Sequence, residues 1–252
     1  MDLKIGSVLR TQLQHVTIRS FLDKPISDEL LQTILEAGRR APTSSNMQAY
    51  SILVIRNPET KQQLSILAGN QKHVESCPVF LAFCADLHRL EVACAKHDVE
   101  MTNNLETFQI ATIDASLVGM SVQTGVESAG LGAVMIGAMR NDPQAVAELL
   151  GLPPKVYVVF GMCVGWPNVA DIPAQKPRLS EPLVIHPEKY NDEIQGEGID
   201  LYDQELSAYY ESLKRNLHPA AWSGVIARNL SKPLRPQLKH ALTQMGFNVD
   251  LS

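Results

Sequence analysis

No Cys-x-x-Cys pair, no basic stripe and no bilayer-length apolar run occurs in this 252-residue chain, and each absence excludes a class of function. Of the four cysteines, Cys77, Cys84, Cys94 and Cys163, three lie in or beside apolar runs where buried thiols are common, so they read as reduced core residues. A net charge of -5, with acids and bases interleaved, provides nothing to neutralise a phosphate backbone and argues against nucleic acid as a partner. Apolar runs are too short to span a bilayer, and the amino terminus, MDLKIGSVLRTQLQH, is broken by charges too early for a signal peptide. A cytoplasmic protein with no membrane partner is the expectation.

Familiar catalytic motifs are missing too. There is no P-loop, nucleophile elbow or metalloprotease helix. Gly130-x-Gly132 follows a helical pattern and precedes a strand pattern, the reverse of a dinucleotide fingerprint. Around His88, the residues Glu91, Cys94, His97 and Glu100 could share a helix face, but His-x-x-Glu is not the Glu-x-x-His of a di-metal bundle. Solvated helix charges explain them more cheaply, and no metal is expected.

What is present is an ordinary globular composition, 45% hydrophobic, enough for a substantial core. Helix and strand patterns alternate. Apolar Leu30, Leu31, Ile34 and Leu35 recur at helical spacing behind a capping Ser27, and residues 58–67 and 142–150 read as further helices. The runs 51–56, 79–85 and 156–164 are short and apolar enough for buried strands, and a further strand begins at Ala133. Residues 105–129 form a long helix poor in large side chains, on which Ala111, Ala115 and Gly119 recur every fourth residue. That face suits close packing on a sheet or a close subunit contact, and both readings are open. From residue 191 the chain is mostly helical and more charged, with Tyr202, Leu206, Tyr209 and Tyr210 along one stripe. With no repeat or low-complexity linker, the expected partition is a single domain over 1–252, its core about 1–190 and a helical extension about 191–252.

Four stretches carry chemistry. In H-V-T-I-R-S-F, from His15, the residues His15, Thr17 and Arg19 alternate with Val16 and Ile18, so an extended chain puts three hydrogen-bonding groups on one face. The loop A-P-T-S-S-N-M-Q, from Ala41, offers hydroxyls and an amide, and G-N-Q-K-H, from Gly69, offers more donors. In K-P-R, Pro177 holds Lys176 extended, so Lys176 and Arg178 project together; they repel unless an anion lies between them. Alone, the triplet would be two solvated charges. Together, these polar loops and the lack of any internal redox or hydrolytic group imply a bound cofactor that carries the reaction.

In order, H-V-T-I-R-S-F-L-D-K-P-I-S, A-P-T-S-S-N-M-Q-A-Y-S, G-N-Q-K-H-V, E-S-A-G-L-G-A-V-M-I-G-A-M-R-N, C-V-G-W-P and K-P-R-L resemble the FMN-dependent nitroreductase family across nearly the whole chain. The similarity is greatest to its oxygen-insensitive nitroreductase and NADPH-flavin oxidoreductase subgroup. The resemblance implies an α+β fold: a three-layer α/β/α sandwich with a mixed central sheet, dimeric, with a helical carboxy-terminal extension. It implies FMN as cofactor, NADPH or NADH as electron donor, small-molecule acceptors, and a flavin in each cleft of a homodimer. Nitroaromatics, quinones or flavins would be reduced by two-electron ping-pong hydride transfer at the flavin N5, with no catalytic side chain required. A dedicated flavin reductase supplying a partner, or a flavin-binding protein without turnover, are the alternatives.

Carried onto this chain, the resemblance places His15, Val16, Thr17, Ile18 and Arg19 at the phosphate, ribityl chain and flavin edge. It places Thr43, Ser44 and Ser45 along the ribityl and dimethylbenzene side and Gln71 at the pyrimidine edge. Met135, Ile136, Gly137 and Ala138 would run along the ring, and Lys176, Pro177 and Arg178 would complete the anion site. Three departures stand out. Val16 replaces a frequent Arg, Met120 and Ser121 replace a Gln-Asn pair, and residues 214–222, K-R-N-L-H-P-A-A-W, hold fewer arginines than the segment implied to bind the NADPH phosphate.

Overall fold

The computed structural model describes residues 6–213 and 222–250, and the chain divides into two compact units, Met1–Pro173 with Gln237–Ser252, and Ala174–Pro236. The first unit is built on a sheet ordered β1-β2-β4-β3, where β1 is Tyr50–Ile55, β2 Val79–Asp86, β3 Gly132–Ile136 and β4 Val156–Gly165. Strand β2 is central and buried at all eight positions. Its Val79, Leu81, Phe83 and Ala85 enter one core and Phe80, Ala82 and Cys84 the other, so strand alternation divides an apolar run between two layers.

Helices cover both faces. On one lie α2 (Asp28–Gly38) and α6 (Leu105–Ser128); on the other lie α3 (Pro58–Leu67), α4 (Lys72–Ser76) and α7 (Pro143–Leu150). This is the expected α/β/α sandwich. The sheet differs from the mixed one expected: β1–β2, β2–β4 and β4–β3 all pair antiparallel. The physical reason is the connectivity, because inserting β4 between β2 and β3 leaves each strand beside one that runs the opposite way, and a parallel pair would need another strand. The remaining helices of this unit are α1 (Ser7–Leu13), α5 (His88–Ala95) and α11 (Leu238–Gln244). Among the described residues, no helix is long and apolar enough to cross a membrane.

Local chemistry explains the ends of the two helices that frame the site. Ser27 caps α2 by accepting from Leu30 N, with Asp28 and Glu29 at the positive end of its dipole. Helix α6 begins with a reciprocal capping box between Asn104 and Thr107. Its small-residue face is turned inward. Ala111 and Ala115 are fully buried, and a Cβ on Gly119 would lie 2.5 Å from Phe160 Cζ of β4. The face therefore packs on its own sheet, which removes it as a subunit contact: only small side chains let a helix lie this close to Phe160. Accordingly, Ala115→Leu is expected to overpack the core and lower unfolding free energy by about 1 to 3 kcal/mol, read as a lower denaturant midpoint at unchanged m.

The second unit contains α8 (Glu181–Val184), α9 (Gln195–Ser212) and α10 (Ser223–Leu230). The aromatic stripe read from the sequence is its core: Tyr202 and Leu206 are buried, with Leu179, Tyr209, Tyr210 and Trp222 packed around them. Buried Asp203 accepts from Trp222 N at 2.6 Å and Ser223 N at 2.9 Å, fixing the start of α10. The chain then rejoins the first unit, where Phe247 packs edge-on against Tyr157 with ring centroids 5.3 Å apart. Of the segment 214–222 noted above, residues 214–221 lie outside the described residues.

Candidate functional site

The extended segment that follows α1 is pinned along the sheet edge. Ile18 N donates to Ala133 O at 3.0 Å, Leu22 N to Trp166 O at 2.8 Å, and Asn168 N to Ser20 O at 3.0 Å. Ile18 is buried against Gly132, where a Cβ would stand 2.7 Å from Ile18 Cβ, so a glycine is needed for the two backbones to approach. Alternation then sets the other side chains. Val16 and Ile18 line a cavity of about 230 Å³ with Glu127 and Gly132, whereas Thr17 is half-buried and Arg19 exposed. His15 is held by α6: its Nδ1 lies 2.6 Å from Glu127 Oε1, and Gln123 Nε2 donates to the same carboxylate oxygen at 3.0 Å.

The charge of Arg19 in this segment acts on His73, near the start of α4. Burial, and then the Arg19 charge, hold the His73 pKa below its ordinary value, favouring the neutral imidazole. Its Nε2 is buried with no hydrogen-bond partner among the described residues. Gln71 is committed locally, donating from Nε2 to Ala68 O at 2.9 Å and from its backbone to Ser65 O at 3.3 Å. Met135 is the exposed position of β3, whereas Ile136 is buried and Gly137 and Ala138, half-buried, open a short 3-10 turn to Arg140.

The 41–48 loop is anchored elsewhere on α6. Thr43 is extended and Ser44–Asn46 form a 3-10 turn, with Ser44 N and Ala49 N both donating to Asp114 at 3.0 Å. Asp114 and Gln123 are nine residues apart, about 13 Å along the helix axis. The loop and the His15 segment are thus fastened at separate levels of one helix.

In the second unit the Lys-Pro-Arg triplet hangs from α9. Tyr202 donates its hydroxyl to Pro177 O at 3.0 Å, and Tyr209 donates to Ala174 O at 2.9 Å. Lys176 Nζ sits 5.3 Å from the Tyr210 ring centroid, and Arg178 turns back to donate to Lys176 O at 3.0 Å. The two cations are therefore steadied by a ring and a carbonyl.

The Nitroreductase family model matches residues 13–166, and its C-terminal domain model matches residues 176–250. The chain belongs to the nitroreductase family. An FMN reductase [NAD(P)H] of Bacillus subtilis is 36% identical over 98% of this chain and 100% of its own. An oxygen-insensitive NADPH nitroreductase of Salmonella typhimurium is 36% identical over 92% of this chain and 95% of its own. The solved structure of Bacillus megaterium NfrA2 superposes with a TM-score of 0.93 at 34% identity, covering 98% of this chain and 100% of the other.

This nitroreductase pins residues 15–19 to β3 through Ile18 and Ala133, and it holds residues 43–45 on a separate anchor, Asp114. Asp114, Gln123, Glu127, Tyr202 and Tyr209 escaped the sequence reading of the site. An acid in the middle of an apolar helix face was the signal available for Asp114. No group of three or more His, Cys, Asp or Glu is placed to hold a metal among the described residues, and His88 instead lies 3.9 Å from Glu91, which pairs with Lys155. Of the buried thiols, burial pushes Cys84 up to about 12 and raises Cys163 well above its ordinary value, whereas a side-chain hydrogen bond with Cys163 holds Cys77 below its own.

Proposed function

We propose that this nitroreductase is an FMN-dependent NAD(P)H oxidoreductase that reduces nitroaromatics, quinones or flavins two electrons at a time. The observation that carries the reading is the donor set itself: cations, hydroxyls and backbone amides, with no side chain among them able to take up electrons. The site fits an anionic aromatic cofactor. The Arg19 charge acts on His73, whose buried Nε2 has no hydrogen-bond partner among the described residues, and the exposed Met135 offers an apolar surface on which a ring can lie. When bound, FMN supplies hydride acceptance and donation, and the protein supplies orientation.

In this reading Thr17, Arg19, Lys176 and Arg178 hold the phosphate and ribityl chain, with charge-assisted bonds the stronger ones. His15, held by Glu127 and Gln123, keeps the segment in place. Thr43, Ser44 and Ser45 present hydroxyls, Gln71 meets the ring edge, and residues 135–138 run along the ring. No side chain serves as an obligate acid or base. The enzyme works in the cytoplasm, and two copies associate so that the α6 face opposite Ala115 is covered.

The Bacillus subtilis relative, named an FMN reductase, favours a second reading in which free reduced flavin is the product. The test is anaerobic mixing of the yellow holoprotein with NADPH or NADH. Bleaching of the flavin absorbance, reversed by a nitroaromatic or a quinone, is the expected result. Reversal by free FMN alone selects the flavin reductase, and no bleaching with either nucleotide leaves a flavin-binding protein without turnover.

A further inference from the structure

We infer that Asp114 is the positioning residue of the 43–45 loop, holding a disfavoured backbone in the shape that presents its hydroxyls to the cofactor; this rests on the FMN reading above. Three observations converge. Asp114 is fully buried, yet among the described residues it forms no ion pair with Lys, Arg or His. A buried carboxylate is costly unless its oxygens are satisfied, and here backbone amides do that work: Oδ1 accepts from Ser44 N and Oδ2 from Ala49 N, each at 3.0 Å.

Between those two amides the backbone is unusual. Ser45, Asn46 and Gln48 have φ of 47°, 57° and 51°, three non-glycine residues in the left-handed region within four positions. Such a conformation is disfavoured for residues with a Cβ, and of these three only the asparagine adopts it at all readily. Residues 44, 45, 46 and 48 are exposed, so burial of their side chains does not offset the strain. The strain persists because the ends of the stretch are clamped to one rigid carboxylate in the middle of α6. A connection from α2 to β1 needs no such shape. A clamp that must present Thr43, Ser44 and Ser45 without rearranging on binding does.

The test uses full-length apoprotein titrated with FMN and followed by flavin fluorescence, with apoprotein melting and hydrogen exchange at the Ser44 and Ala49 amides measured alongside. Asp114→Asn can accept from one amide while turning its own N–H groups on the other. The expected result is at least a tenfold rise in the FMN Kd with faster exchange at those two amides. Asn46→Gly with Gln48→Gly relieves the left-handed strain at two residues that make no proposed cofactor contact. In the Asp114→Asn background this pair is expected to recover most of the lost affinity, a rescue that a general core defect would not show.

An unchanged Kd in Asp114→Asn despite faster exchange overturns the positioning role. So does a loss that tracks a fall in melting temperature and is not recovered by the glycines. An unsubstituted protein that binds no FMN while both amides are protected overturns the cofactor reading itself and takes the proposal with it, an outcome distinct from the other two.

Discussion

Alanine at both Lys176 and Arg178 is expected to weaken FMN binding about a hundredfold. Hydrogen bonds to charged groups contribute about 1.5 to 3 kcal/mol each. Both side chains are exposed and screened by solvent, so the lower end applies. The pair then contributes about 3 kcal/mol, and each 1.4 kcal/mol is tenfold. Fold should be kept, because the Tyr202 and Tyr209 hydroxyls are bonded to the backbone carbonyls of Pro177 and Ala174 and not to the substituted side chains. Equilibrium dialysis with FMN reads the change directly. Lys189→Ala, at another exposed cation of the same unit, controls for net charge. Equal FMN retention by the double variant and this control would remove the triplet from the phosphate site.

The second large effect concerns association. With Ala111, Ala115 and Gly119 turned to the sheet, the opposite face of α6 carries Ile113, Leu117 and Met120 at 54%, 42% and 44% exposure, one side chain per turn. In a two-fold symmetric dimer each substitution enters twice. Leu117→Glu would therefore bring two carboxylates into the contact, each with a desolvation penalty of several kcal/mol. Sedimentation should show wild-type protein at twice 27.7 kDa and the variant at 27.7 kDa, with loss of bound FMN if the cofactor cleft needs both copies. Ala115→Leu should lower stability without this selective effect on association. A wild-type protein that sediments as an FMN-loaded monomer would exclude the dimer.

Several features were legible without coordinates because they follow from short-range spacing. Ser27, the acids after it and the Leu31 and Ile34 periodicity give α2. Strand β2 reads as continuous apolar sequence because both of its faces are buried. Alternation in residues 15–19 separates the buried Ile18 from Thr17 and Arg19, and the ordered motifs carry the family. The helix and strand signals each lie within a few residues, in the period of the element, and only the order of the motifs runs along the chain.

The tertiary structure decided what those periods leave open. Small side chains suit a helix lying on a sheet or on another helix equally well, and only the approach of Phe160 to Gly119 shows which partner the Ala115 face has. The antiparallel sheet depends on β4 entering between β2 and β3, a choice with no local signature. Asp114 meets amides 65 and 70 positions away, and His15 meets Glu127 across 112. Arg178 turns back on its own triplet because a carbonyl is within reach. Sequence alone specified the main secondary elements, since propensity is a property of short stretches, and the resemblance carried by its ordered motifs implied the kind of ligand. Which loops share an anchor, and which face of α6 is free, are settled by packing among distant residues.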